Sequence, residues 1–166
     1  MINRTPTSSL TIKTEVVCPN DTNPMGLLKG GRLVEWMDIG AAVCAQTHAG
    51  KICVTASINH VDFNETAQVG DIITIKAKIS RAFNTSMEIF VQSFARKVLA
   101  GKKYLISEAY FTFVALDEHG KASKVIEVKP VTHLEKEQFK AALVRRERIA
   151  KEKRKNYSCY NEREKN

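Results

Sequence analysis

The hydrophobic pattern changes its period at Gly50, and this change limits the folds open to the chain. Residues 31 to 48 carry apolar side chains almost all round a helix, which predicts a helix enclosed by the rest of the protein and ending at Gly50. From Ile52 onward the period becomes two, most clearly at residues 73 to 80, where Ile and Ala alternate with polar side chains. A helix followed by long strands predicts an α+β domain with an antiparallel sheet.

Five segments are predicted to be strands, one before the helix and four after it. They cover residues 10 to 17, 52 to 63, 72 to 80, 86 to 96 and 103 to 116. Turn-forming residues separate the later strands, notably Val69-Gly70-Asp71, Ala100-Gly101 and residues 117 to 120. The pattern predicts a sheet wrapped around one central helix.

Length and composition fit one domain with a core and an appended tail. The chain has 166 residues, of which 43% are hydrophobic, and no apolar run reaches the roughly 18 residues of a membrane span. Without such a run or an N-terminal signal sequence, we expect a cytoplasmic protein that does not insert into membranes. The four cysteines, Cys18, Cys44, Cys53 and Cys159, form no CxxC pair, so free thiols are expected rather than zinc ligands or disulfides.

The net charge of +8 is concentrated near the C-terminus. From residue 131 onward there are eleven Lys and Arg against six Asp and Glu, and residues 134 to 155 predict a charged helix with few apolar side chains. We therefore expect a domain over residues 1 to 130 and a basic helical extension over 131 to 166, frayed from residue 156. Such a tail suits nucleic acid, another polyanion or a solvated helix. Interleaved Glu residues favour the solvated helix, so no nucleic-acid partner is expected.

Asp38 is the first candidate for chemistry. It lies within the apolar stretch that forms the predicted helix, where a carboxylate is costly to bury unless something uses it. The alternative is that Asp38 caps a backbone group or pairs with Arg32 or Lys29.

The loop before this helix supplies complementary groups. Asn23 can donate a hydrogen bond, while Gly26, Gly30 and Gly31 let a ligand approach exposed backbone N–H groups near the helix N-terminus. A carboxylate, an amide donor and such a terminus are the parts needed to activate a water and hold an oxyanion.

Histidine side chains give weaker signals. His60, Asp62 and Asn64 have the spacing that places three side chains on one face of a strand, which fits a polar pocket wall or a subunit interface better than a metal site or a catalytic dyad. The remaining histidines lie at the ends of predicted elements, where surface positions are expected: His48, His119 and His133. No metal site is predicted.

A polar hairpin joins two of the strands. Arg81 is followed by Asn84, Thr85 and Ser86, a set that is either an ordinary turn or a binding site for a phosphorylated ligand.

The combined motifs resemble those of the hotdog-fold acyl-CoA thioesterases, specifically short bacterial acyl-CoA hydrolases related to the cytosolic tandem-domain enzymes of animals. The resemblance covers about residues 10 to 130. It rests on Asn23-x-x-Gly26-x-x-x-Gly30-Gly31-x-Leu33-x-x-x-Met37-Asp38, on Val69-Gly70-Asp71 and on Thr85-Ser86-Met87.

This resemblance implies hydrolysis of acyl-CoA to a carboxylic acid and CoA, with no cofactor beyond the CoA of the substrate. It implies a site between two protomers, in which Asp38 is general base or nucleophile and Asn23 orients the carbonyl or the water. Backbone N–H groups at Gly30 and Gly31 would form the oxyanion hole. It also implies a homodimer as minimal unit, usually assembled as a trimer of dimers.

The hairpin departs from the family pattern. The family has Gly-Arg before Thr-Ser, whereas this chain has Phe83 and Asn84 there, so Arg81 is the candidate replacement for the missing phosphate contact. Two other functions compete with thioester hydrolysis. A hotdog dehydratase requires a different His and Asp placement, and a binding module would depend on the basic tail.

Overall fold

The chain folds as two compact units, Met1–Lys129 and Pro130–Asn166. The computed structural model describes the backbone of residues 4 to 163 and all their side chains except those of 153 and 156 to 163. The first unit contains β1 (Thr11–Val16), α1 (Gly30–Ala49), β2 (Cys53–Phe63), β3 (Ile72–Ala82), β4 (Ser86–Arg96) and β5 (Lys103–Ala115). The second contains α2 (His133–Arg163). The prediction of one early helix followed by four long strands is confirmed.

The five strands form one antiparallel sheet in the order β1-β3-β4-β5-β2. In β3, Ile73, Ile75 and Ala77 are fully buried, and the lysines that alternate with them lie on the opposite face. α1 contacts all five strands. The alternation seen in the sequence therefore selects the sheet face that receives the helix.

One face of α1 is open, which corrects the expectation that this helix is enclosed. Its buried side includes Trp36, Met37 and Cys44, but Ile39 is 43% exposed and Val43 is 46% exposed. A single layer of sheet can cover only one side of a helix, so the remaining apolar side chains stay uncovered in one chain. The predicted end of the helix is confirmed, because Gly50 adopts a left-handed conformation with φ 63° and donates its N–H to Gln46 O at 2.8 Å.

β2 is irregular near its end, and this overturns the prediction that His60, Asp62 and Asn64 share one strand face. The pairing with β5 shifts register between Asn59 and Asp62, and His60 has a φ of 56°. Asn64 lies beyond the last residue of the strand. A bulge inserts a residue and breaks the alternation on which the prediction depended.

His48 is fully buried, whereas a surface position was expected from its place at a helix end. Its Nε2 lies 3.0 Å from Ile126 O, and the Arg4 guanidinium donates to the carbonyl oxygens of His48 and Thr47. Burial lowers the pKa of the imidazole, and the nearby charge of Arg4 lowers it further. His119 and His133 are exposed, as expected.

α2 begins with a capping box. Glu135 N donates to Thr132 Oγ1 at 3.2 Å, and Glu135 Oε2 accepts from Thr132 N at 3.0 Å. The helix runs to Arg163, beyond residue 155 where the sequence predicted its end, and residues 164 to 166 lie outside the described part. No Gly or Pro interrupts residues 134 to 163, which explains the length of the helix.

We expect His48 to make the protein less stable in mild acid. The pKa of His48 lies below its ordinary value of 6.5 in the folded state, so only the unfolded state gains a proton as the pH falls through that value. The free energy of unfolding should therefore decrease from pH 7 to pH 5.5. Urea titrations of the wild type and of His48→Gln measure this, and the variant should show a weaker dependence on pH.

The exposed His119 provides the control, because His119→Gln should keep the wild-type dependence. Equal slopes against pH in the wild type and His48→Gln would show that another group causes the acid sensitivity.

Candidate active site

Asp38 makes a specific contact with β2. Its half-buried side chain accepts a hydrogen bond from Thr55 Oγ1, with 2.8 Å between that oxygen and Asp38 Oδ1. The alternative partners are engaged elsewhere: Arg32 contacts Asp21 and Glu35, and Lys29 donates to a backbone carbonyl. Among the residues that the structure describes, the Asp38 carboxylate is thus oriented by a neutral hydroxyl rather than paired with a cation.

Thr55 contacts the candidate Asp38, and the sequence did not single it out. It is exposed, lies close to the start of β2 and has no motif of its own. Only its hydroxyl chemistry and its place on the strand after α1 could have suggested a role. Identifying it required the register between α1 and β2, which is a tertiary property.

Asn23 lies in a tight turn before α1. Its Oδ1 accepts hydrogen bonds from the N–H groups of Met25 at 2.9 Å and Leu27 at 3.2 Å, which fixes the side-chain orientation. A backbone hydrogen bond from Leu28 N to Ala67 O holds the turn against the β2–β3 connection. Since the carboxamide oxygen is used within the turn, the Nδ2 group is the part of Asn23 that can donate to a ligand.

The N-terminus of α1 presents unused backbone donors. Lys29 is the N-cap residue without a side-chain capping bond, and Leu33 N is the first amide that bonds back, to Lys29 O at 3.0 Å. The amides of Gly30 and Gly31 therefore remain available, as expected for the first helical turn. A Cβ on Gly30 would lie 3.3 Å from the Phe63 ring, whereas one on Gly31 would meet nothing within 4 Å.

A buried carboxylate holds the loop against the helix. Asp21 accepts from Cys18 N at 2.9 Å and from Arg32 Nε at 2.8 Å, and its own carbonyl accepts from Lys29 N at 3.0 Å. The Cys18 amide lowers the pKa of Asp21 most, and Arg32 lowers it further against the opposing effect of burial. This connection places the Asn23 turn beside the N-terminus of α1.

The β3–β4 hairpin lies towards the same end of the sheet as Thr55. In the strand register, Thr55 and Met87 both pair with Phe113 of β5, so they are two strand spacings apart, about 10 Å. Backbone bonds fix the hairpin: Phe83 N donates to Ser86 O, Ala115 N to Thr85 O and Val125 N to Asn84 O. Arg81 stacks over the Phe83 ring, 5.5 Å from its centre.

One chain holds the predicted residues in two separate groups. The first group contains the Asn23 turn with Gly30 and Gly31, and the second contains Asp38. Asp38 lies seven positions after Gly31 in the helix, a rise of about 10 Å at 1.5 Å per residue. No hydrogen bond or ion pair joins Asn23 to Asp38 in the described residues. Within one chain, the two groups therefore lie about two turns of α1 apart.

Some kinds of site do not occur in the described part of the chain. Across residues 4 to 163, no three His, Cys, Asp or Glu side chains whose positions are described are grouped to hold a metal ion. The thiols of Cys18, Cys44 and Cys53 are free, and the predicted free thiol of Cys159 lies outside the described side chains. None of the described helices is both long and apolar enough to cross a membrane.

Comparison with known proteins identifies relatives by sequence. A model of the thioesterase superfamily matches residues 25 to 100. The chain is 40% identical over 132 residues to mouse acyl-coenzyme A thioesterase 11, covering 80% of this chain and 22% of that protein. It spans only about a fifth to a quarter of the length of this and two other rodent relatives. It is also 35% identical to the uncharacterized acyl-CoA thioester hydrolase YkhA of Bacillus subtilis, covering 76% of this chain and 74% of that protein.

Solved structures show the same fold. A hexameric acyl-CoA thioesterase superposes with a TM-score of 0.88 at 37% identity, covering 92% of this chain and 97% of that one. An acyl-CoA hydrolase from Staphylococcus aureus, solved with butyryl-CoA and CoA, has a TM-score of 0.88 at 35% identity, covering 96% and 98%. The predicted α+β hotdog arrangement of sheet and helix is confirmed.

We expect Asp21 to stabilise the loop that carries Asn23. Asp21→Asn keeps the size of the side chain but removes the charge that accepts from Cys18 N and Arg32, so the melting temperature should fall. Glu35→Gln is the matched control, because Glu35 contacts the same Arg32 from an exposed position and should change the melting temperature little.

Because the folded-state pKa of Asp21 is depressed, its stabilisation should be lost as the pH falls below about 3.8, the ordinary value. Calorimetry at pH 7 measures the melting temperatures of the wild type, Asp21→Asn and Glu35→Gln. Equal melting temperatures for Asp21→Asn and the wild type would contradict an anchoring role.

Proposed function

Because this chain belongs to the thioesterase superfamily, we propose that it is an acyl-CoA thioesterase, which hydrolyses acyl-CoA to a carboxylic acid and CoA. The observation that carries this proposal is the oriented Asp38 carboxylate on α1, held by Thr55 at 2.8 Å. A carboxylate without a cationic partner can accept a proton from an attacking water, or attack the thioester carbonyl itself.

The proposed site combines two chains. Asn23 Nδ2 and the amides of Gly30 and Gly31 of one chain would contact the thioester carbonyl, where backbone donors stabilise a developing oxyanion. Asp38 of the second chain would supply the base or nucleophile. The roughly 10 Å between Gly31 and Asp38 within one chain supports this division.

Three residue types recur in the S. aureus neighbour. Its solved variants replace an asparagine, an aspartate and a threonine by alanine. These three positions are separated by the same numbers of residues as Asn23, Asp38 and Thr55 are in this chain. This spacing supports a shared role for the three side chains and favours including Thr55 in the site.

We propose that β2 and the open face of α1 form the homodimer interface. β2 is an edge strand, and apolar side chains on it and on α1 are exposed: Ile39, Val43, Val54 and Ile58. Unpaired strand edges and adjacent apolar surface favour pairing with a second copy. A trimer of such dimers would match the hexamers found among the structural neighbours.

We propose that the β3–β4 hairpin holds part of the CoA. Asn84 is exposed and Thr85 is half-buried, so an amide and a hydroxyl are accessible beside Ser86 and the Arg81 guanidinium. The chemistry requires no cofactor beyond the CoA of the substrate. All proposed site residues lie before residue 130, which supports residues 1 to 130 as the catalytic domain and 131 to 166 as an extension.

Asp38→Asn should keep the fold and lose activity. The change is nearly isosteric and removes only the charge, so turnover should fall by about 100-fold or more while CoA binding changes little. Release of thiol from acyl-CoA substrates of graded chain length measures turnover.

Thr55→Val is the companion variant, because it leaves the carboxylate but removes the hydroxyl that orients it. We expect a smaller loss of turnover than for Asp38→Asn. If the folded Asp38→Asn protein hydrolyses acyl-CoA at nearly the wild-type rate, Asp38 is not the reactive group and the proposed mechanism is wrong.

Mixing two inactive variants should restore part of the activity. Asn23→Ala and Asp38→Ala chains each lack one half of the proposed site, so a heterodimer contains one site with both residues intact. Subunit exchange followed by the thiol-release assay tests this. Mass spectrometry of the mixture provides the control for exchange, and exchanged but inactive heterodimers would disprove the two-chain site.

A further inference from the structure

The end of the sheet opposite the β3–β4 hairpin carries a pocket that the proposed mechanism does not use. It is lined by the β2–β3 connection and the turn between β4 and β5, and its lining residues are Glu65, Thr66, Gln68, Lys97, Lys102 and Tyr104. The pocket is open to solvent.

Two of the lining residues are lysines, Lys97 and Lys102. Lys97 N donates to Lys102 O at 3.1 Å, so the two residues face each other across the β4–β5 turn. Neither ammonium group has an ion-pair or hydrogen-bond partner among the side chains that the structure describes. Like charges at facing positions repel each other unless an anion lies between them.

The lining of the pocket carries more positive than negative charge. Its basic residues are Lys97 and Lys102. Glu65 is the acidic residue of the pocket lining and offsets only part of this charge. Basic side chains around a concave surface attract and retain anions.

The remaining lining groups are fixed and polar. Tyr104 OH donates to Thr66 O at 3.0 Å, and Gln68 N donates to Asp71 Oδ2 at 2.9 Å. These bonds fix the backbone of the β2–β3 connection and leave the Thr66 hydroxyl and the Gln68 carboxamide as further donors. Two ammonium groups, a hydroxyl and an amide are the donor types that bind phosphate oxygens.

We propose that this pocket binds a phosphate-bearing ligand through Lys97 and Lys102. The pocket adjoins the proposed reaction site, because Leu27 of the Asn23 turn forms a bridge with Gln68. The phosphates can therefore be those of the acyl-CoA substrate, an interpretation that rests on the proposed function, or those of a separate nucleotide. Both sources present the same chemistry to the lysines.

Adenosine 3′,5′-bisphosphate, a fragment of CoA, and ADP are the probes. Calorimetric titration of the full chain at low and physiological salt should show binding that is weaker at high salt. In Lys97→Gln/Lys102→Gln, both exposed positions, the affinity for at least one probe should fall about 10-fold or more. Lys121→Gln removes an equally exposed lysine from another turn and should change neither affinity.

Kinetics with acyl-CoA show whether the bound phosphates belong to the substrate or to a separate nucleotide. A raised KM with unchanged kcat in the double-lysine variant identifies the substrate's own phosphates, whereas an unchanged KM with lost probe binding identifies a separate nucleotide. Wild-type probe affinities that the double substitution leaves unchanged would overturn the proposal, as would the absence of probe binding in the wild type. If the protein hydrolyses no acyl-CoA but binds a probe through the two lysines, the proposed thioesterase function is wrong and the proposed phosphate-binding pocket is supported.

Discussion

The packing of α1 against the sheet determines where every proposed reactive group lies. Met37, Ala41 and Cys44 are fully buried on the strand-facing side, and a Cβ on Gly40 would lie only 3.3 Å from Ile75 Cγ2. Burying a side chain such as Met37 contributes about 1.5 to 3 kcal/mol, so this face is strongly specified. Asp38 follows Met37 by one helical step of about 100°, which places its carboxylate at the border of the buried face, beside β2.

The same packing supports the proposal that the site is shared between two chains. α1 is rigid and holds its N-terminal amides about 10 Å from Asp38, and no movement of a surface loop can shorten a helix. Meanwhile β2 is left at the sheet edge with exposed apolar neighbours on α1. The exposed apolar side chains lie on α1 and β2, the two elements that also carry Asp38 and Thr55. Under the proposal, association of two copies would cover these side chains and bring Asp38 of one chain to the Asn23 turn of the other.

Local periodicity made most of the fold predictable from the sequence. The boundaries of β4 agree with the prediction, and α1 ends at Gly50 as expected. The two wrong predictions about histidines concern features that depend on tertiary contacts. His48 is buried against the segment containing Ile126, and the bulge near His60 follows from the pairing of β2 with β5. Asp38 could be singled out because a carboxylate in an apolar stretch is unusual. Thr55 could not, since a threonine in a strand is ordinary.

The positions of the basic side chains, rather than the net charge, indicate where a polyanionic ligand would bind. α2 contains the excess of basic residues, yet Arg148 lies 3.9 Å from Glu152 at the spacing of an intrahelical pair. Arg81 stacks on Phe83, so its guanidinium already interacts with the protein. Lys97 and Lys102 instead line a concave surface, and the described residues include no ion-pair partner for either ammonium group. A polyanionic ligand gains most where cations are held close together and are not already neutralised, which favours the end of the sheet over the tail.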